Sequence, residues 1–163
     1  MRLSLQTDAM PRADGSDGNA MLEFALGASV LVSLLAGTFQ FGYTFYVYDQ
    51  LQAAVRNGVR YGSMRAYKSQ EGSCVERVKT SVRNMVVYGT PNPADGAPPL
   101  VRGLTRDKVT VTYTTDAEGV PSDVTVVINN FTVDAIFAKL TFNGKPFATV
   151  PYVGRYAPNE CDP

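Results

Sequence analysis

Phe24 to Tyr48 is a run of 25 residues without a single charge. At about 1.5 Å per residue, a helix of that length measures roughly 37 Å and crosses a hydrocarbon core of about 30 Å with some tilt. A core helix in a chain of 163 residues is seldom so long and apolar on every side, so the run is read as membrane-spanning. It closes with Phe39, Phe41, Tyr43, Phe45, Tyr46 and Tyr48, six aromatic residues within ten. Such rings favour the boundary between lipid and water. Within the run, Ala25, Ser29, Ser33 and Gly37 recur at every fourth position and form a ridge of small residues that a second helix can approach closely.

The helical pattern continues past Asp49. Leu51, Val55, Gly58, Val59 and Gly62 hold one face, while Gln52, Arg56 and Arg60 hold another. One helix from about Ala20 to about Ala66 would be roughly 70 Å long. Its first half is apolar throughout and its second half is amphipathic. A membrane anchor has no need of the amphipathic half; a helix that also packs beneath a folded head does.

Ahead of the apolar run, Met1 to Gly18 is polar, carries Pro11, Gly15 and Gly18, and shows no periodicity. It is expected to be unstructured. A secretory signal places its cleavage site after the apolar stretch, whereas the natural break here, Asp17-Gly18-Asn19, precedes it. Cleavage between Gly18 and Asn19 would leave the apolar segment at the new N-terminus, with Glu23 as the fifth residue. A carboxylate at the edge of lipid is costly without a partner. In a bundle of identical helices, the free amine of a cleaved neighbour supplies one. A headgroup-level position near a helix N-terminus would also accommodate it.

From Glu71 the pattern becomes that of a soluble domain. Val75, Val78, Val82 and Met85 predict an amphipathic helix ending near Tyr88-Gly89. Thr90 to Gly103, with Pro91, Pro93, Pro98 and Pro99, predicts an extended surface loop. Lys108 to Thr115 alternates as a half-buried strand, Asp116 to Ser122 is a turn, and Asp123 to Phe131 is a second strand of the same antiparallel hairpin. Ala135 to Phe142 is a short apolar patch. Thr149 to Ala157 suits an edge strand that tolerates Pro151. The fold class is α+β: a long N-terminal helix, a second helix and a small antiparallel sheet.

Composition narrows the function. Lys+Arg and Asp+Glu are equal at 15 each, against the basic excess of a nucleic-acid binder. The chain has no histidine, and so lacks the commonest general base and metal ligand. No phosphate-cradling or serine-hydrolase motif occurs. Asp116, Glu118 and Asp123 cluster at a turn without the spacing of a calcium loop and are read as solvated. Asn130-Phe131-Thr132 matches a glycosylation sequon, a pattern frequent by chance. Neither enzymatic activity nor a cofactor nor a metal is expected.

Cys74 and Cys161 bracket the head. They would pair in an oxidising compartment and stay as two thiols in a reducing one. Arg56, Arg60, Arg65 and Lys68 beyond the apolar run outnumber Arg2 and Arg12 before it, which by charge alone would hold the head in the cytoplasm. Long domains translocate largely regardless of such charges, and the cysteine pair favours export.

The string Gly18-Asn19-Ala20-Met21-Leu22-Glu23-Phe24-Ala25-Leu26 resembles the start of TadE-like pseudopilins of the tight-adherence, Flp-type pilus system. The resemblance continues through Phe41-Gly42 and through Leu51 to Gly62, and so covers about residues 18 to 62. Family members often carry a proline several residues after the Glu-Phe pair, where this chain has Ser29. The resemblance implies a pilin-like fold and removal of residues 1–18 by a prepilin peptidase. Together with the residue pattern beyond it, the resemblance divides the chain into an apolar transmembrane and assembly helix over 19–48, an amphipathic continuation over 49–70 and an α+β head over 71–163. Glu23 and Phe24 would serve assembly, with other pilin subunits, an inner-membrane assembly platform and the lipid membrane as partners. The chain would start in a bacterial inner membrane with its head outside the cytoplasm, and end in a surface filament. The alternative is an uncleaved, single-pass surface protein whose head binds a ligand.

Overall fold

The computed structural model describes residues 16–66, 72–135 and 137–155. Helix α1 runs from Ser16 to Ser63 and α2 from Gly72 to Tyr88. After the proline-rich loop and a short 3-10 turn at Arg106–Lys108, the described residues form five strands: β1 (Val109–Thr115), β2 (Pro121–Ile128), β3 (Phe131–Asp134), β4 (Lys139–Phe142) and β5 (Phe147–Pro151). The α+β class read from the sequence is the class observed.

The expected leader overlaps the helix: α1 begins at Ser16, so Ser16 to Gly18 are helical. Ser16 and Asp17 are residue types that favour a helix N-terminus, where unpaired N–H groups and the dipole attract oxygen and negative charge. The remainder of the leader lies outside the described residues.

The molecule divides into two units between Phe39 and Gln40. The first is the apolar part of α1. The second holds a core to which several elements contribute: Leu51, Val55 and Val59 of α1; Val78, Val82, Val86 and Val87 of α2; and Val109, Val111, Val124, Val126 and Ile128 of the sheet. The helix face predicted over 51–62 is the buried one, while Arg56 and Arg60 are exposed. On α2 the buried face is turned slightly from the predicted one. Val78 and Val82 are buried as expected, but Cys74 and Val86 complete the stripe, and Val75 and Met85 are half-buried.

Two glycines let α1 approach its neighbours. A Cβ at Gly58 would collide with Val86 Cγ2 of α2, and one at Gly62 would lie 3.0 Å from Val82 Cγ2 and 3.1 Å from the Tyr113 hydroxyl. That hydroxyl donates to the Gly62 carbonyl at 3.2 Å, one of the carbonyls that the end of the helix leaves unpaired. Val153 N–H donates to the Ser63 carbonyl at 3.0 Å, and the Tyr152 hydroxyl donates to the Arg65 carbonyl. The end of α1 is therefore capped by the sheet and by the chain just after β5.

The main sheet is antiparallel in the order β1-β2-β5, with β5 at an edge. Val109 pairs with Ile128 and Val111 with Val126, which puts these four residues on the core face, with Val124 beside them. The register slips between Thr114 and Thr115, where Ser122 is the extra residue of a bulge. Pro151 ends the edge strand, where a missing N–H costs no ladder bond.

The strand predicted from Asp123 to Phe131 is in fact two. Asn130 has φ 52°, a left-handed conformation that asparagine tolerates better than most residues and that a continuous strand cannot contain. The chain turns there, and Phe131 opens β3, which pairs with β4 in a separate two-stranded sheet. The apolar patch at 135–142 thus contains a strand, with Thr132 and Thr141 hydrogen-bonded across the pair at 3.0 Å.

Candidate assembly segment

The first unit is distinguished by what its side chains fail to touch. Met21, Leu22, Phe24, Leu26, Val30, Leu31, Val32, Leu34, Leu35 and Phe39 are all exposed, Phe24 to 78%. Asn19–Ser63 includes a stretch long and apolar enough to cross a membrane, none of it buried. Exposed apolar residues scattered singly are ordinary, but a contiguous apolar surface of this extent marks contact with lipid or protein.

The hydroxyl side chains in this stretch turn inward to the helix. Ser29 Oγ donates to the Leu26 carbonyl and Ser33 Oγ to the Ser29 carbonyl, both at 2.8 Å, and Thr38 Oγ1 donates to the Leu34 carbonyl at 3.0 Å. Their hydroxyls are thereby satisfied without water, which is the condition for residence in lipid. Ala25, Ser29 and Ser33 are exposed, and a Cβ at Gly37 would meet nothing within 4 Å. The small-residue ridge is open along its length.

Glu23 is exposed near the start of this surface, and among the described residues its carboxylate has no hydrogen bond or ion pair. Phe24 beside it is also exposed. Gly18 and Asn19 both lie in the first turn of α1, where helices fray most readily. Cys74 is buried at 3% in the first turns of α2; Cys161, its expected partner, lies outside the described residues.

One structural contact escaped the sequence reading. Gln40, inside the uncharged run, is 8% exposed. Its Nε2 donates to the Ala138 carbonyl at 3.0 Å, and its Oε1 accepts from the Phe137 N–H at 3.0 Å. The amide thus binds the β3–β4 hairpin by both its ends. From here α1 alternates between packing and exposure: Val47 is buried and Tyr48 sits 5.4 Å from the Phe142 ring, while Phe41, Phe45 and Tyr46 remain exposed. A lone glutamine in an apolar run was the available signal, because a buried amide must find partners.

Elsewhere on the second unit, a groove of about 540 Å³ lies between α1 and β5, lined by Arg56 and Arg60 among others. The Asp116 carboxylate at the β1–β2 turn accepts from the N–H groups of Glu118 at 3.1 Å and Val120 at 2.7 Å. Its lone pairs hold the turn. Glu76 of α2 is flanked by Lys79 at 3.1 Å and Arg83 at 3.6 Å, and its hydrogen bond from Lys79, with the charges of both cations, holds its carboxyl below the usual range.

Residues 18–60 match the family model described as TadE-like protein. No curated protein and no solved structure matches the chain. The matched segment takes in the apolar part of α1, Glu23, Gln40 and most of the amphipathic half, and it stops before α2. Over that segment the chain is similar to TadE-like proteins.

Proposed function

We propose that this protein is a structural subunit of a tight-adherence-type pilus or related secretion apparatus, a minor pilin or pseudopilin, and that it works through its N-terminal helix. The observation that carries the reading is the exposed apolar surface of residues 19–39 with one unpartnered charge, Glu23, at its start. That stretch amounts to about 31 Å of helix, close to a hydrocarbon thickness of about 30 Å. The TadE-like match over the same residues supports a pilus-associated role.

The subunit is held in the inner membrane with its head on the outer side, and a prepilin peptidase removes residues 1–18. Cleavage between Gly18 and Asn19 creates an α-amine four residues before Glu23. In a bundle of such helices, the amine of one subunit neutralises the Glu23 carboxylate of another, and the charge is no longer a barrier to leaving lipid for protein. The open ridge at Ala25, Ser29, Ser33 and Gly37 lets the helices come close, and Phe24 fills space beside the neutralised pair. A bridge between Cys74 and Cys161 would tie the C-terminal end of the chain to the buried start of α2, contributing about 4–5 kcal/mol in the chain-entropy account.

Substitution of Glu23 tests the assembly role. Glu23→Ala is expected to leave the subunit folded and in the membrane but absent from filaments sheared from the cell surface. Recovery of the variant in the sheared fraction at the wild-type level would overturn the role given to the carboxylate.

A further inference from the structure

We propose that the tip of the β3–β4 hairpin, at Phe137 and Leu140, is a second membrane contact, with Phe137 inserted at the lipid–water interface. The inference rests on reading 19–39 as the membrane-spanning stretch. It starts from Gln40, the residue that follows that stretch in the chain and the first of the second unit. Both polar ends of its side chain are bonded to backbone at Phe137 and Ala138. Gln40 follows the span directly in the chain, so its two bonds keep Phe137 and Ala138 close to the residue at which the span ends.

The loop has the chemistry for that place. Phe137 is 68% exposed and Leu140 is 40% exposed, although both belong to a unit with a well-formed core that could have buried them. The hairpin closes tightly below them, with Ala135 N–H donating to the Ala138 carbonyl at 3.3 Å. Its one carboxylate, Asp134, is paired with Lys139 at 3.0 Å, which removes the net charge that would oppose approach to a headgroup layer. The exposed rings of Phe45 and Tyr46 lie one to two helical turns after Gln40 on the same unit, within the depth over which aromatic side chains favour the interface. Loop and helix together would give the subunit two points of contact with the membrane.

The chain contains no tryptophan, so a single introduced indole reports its own surroundings. Phe137→Trp, Leu34→Trp and Val153→Trp are each made in the full chain and reconstituted into phosphatidylcholine–phosphatidylglycerol vesicles. A fraction of the lipid is brominated close to the headgroup. Val153 is 72% exposed and bonds at the Ser63 end of α1, away from Gln40. The expected result is blue-shifted, lipid-quenched emission from position 137 and from position 34, with unquenched, solvent-like emission from position 153. Quenching at 34 but not at 137 would overturn the loop contact and leave the membrane span standing. A blue shift at 137 without quenching would mean the ring is covered by protein, and would also overturn it. Equal quenching at 137 and 153 would show an unoriented head and contradict the proposal. Absence of quenching at all three would remove the span as well.

Discussion

Leu34 and Leu51 lie on the same helix, yet Leu34 is 66% exposed and Leu51 is 0% exposed. Hydrophobicity alone does not separate them. Before Gln40, apolar residues occupy every side of α1, and no single face can be turned to a core. After it, charged and amide residues take one face, and Leu51, Val55 and Val59 can be buried together. The lesson is that the arrangement of polar residues, more than the count of apolar ones, decides which part of a helix belongs to a folded unit and which is left for lipid or a neighbouring subunit. Glycine shows the same contrast. Gly58 is filled against by Val86, while Gly37 faces open space.

This contrast can be broken or sharpened by paired substitutions in the full chain, followed by denaturant unfolding in detergent. The largest difference is expected for the leucines. Leu51→Ala should cost about 2–5 kcal/mol, because it empties a filled core site. Leu34→Ala should stay within about 0.5 kcal/mol, as exposed positions do. Equal losses would show that the first half of α1 is also part of a core.

Next come the glycines. Gly58→Ala drives a methyl into a stiff, β-branched valine and should cost about 1–3 kcal/mol. Gly37→Ala should be neutral or stabilising by up to about 1 kcal/mol, since alanine is the better helix former. The sign of the two effects, opposite or alike, is the informative reading.

Gln40→Ala removes both bonds to the hairpin. Water can reach the loop once the amide is gone, so the expected cost is about 1 kcal/mol. Amide hydrogen exchange should accelerate in β3 and β4 and stay unchanged in β1 and β2, because the two sheets are separate. Uniform acceleration would place Gln40 in the common core instead.

The smallest effect is electrostatic. Glu76 is largely exposed and screened, so Glu76→Gln should cost only a few tenths of a kcal/mol. Its folded-state pKa is lowered by Lys79 first and by Arg83 as well. The difference between wild type and variant should therefore be full above the ordinary carboxylate range and vanish as the pH falls through the depressed value. A difference that grows on acidification would contradict the pairing.

Much of the fold was legible because its signals are periodic. The run from Phe24 to Tyr48, the face from Leu51 to Gly62 and the alternation of Val109 and Val111 each repeat often enough to fix an element and its buried side. What stayed hidden depends on one residue or on distant pairing. Asn130 splits a predicted strand by a single backbone conformation. β4 exists because β3 lies opposite it, and its four residues carry little pattern of their own. Gln40 looked like one more member of an apolar run, and its role rests on a hairpin almost a hundred residues later. Glu23 and Gly18 were visible as residues out of keeping with their surroundings, but the roles proposed for them concern other molecules and rest on the family resemblance.

The central claim is that the apolar helix is an assembly element released by cleavage after Gly18. The most direct measurement is the N-terminal residue of the protein recovered from cell envelopes, read by mass spectrometry in cells with an active prepilin peptidase. A chain beginning at Asn19 is the predicted result. A chain beginning at Met1 would contradict the account and leave α1 as the permanent anchor of a surface binding module.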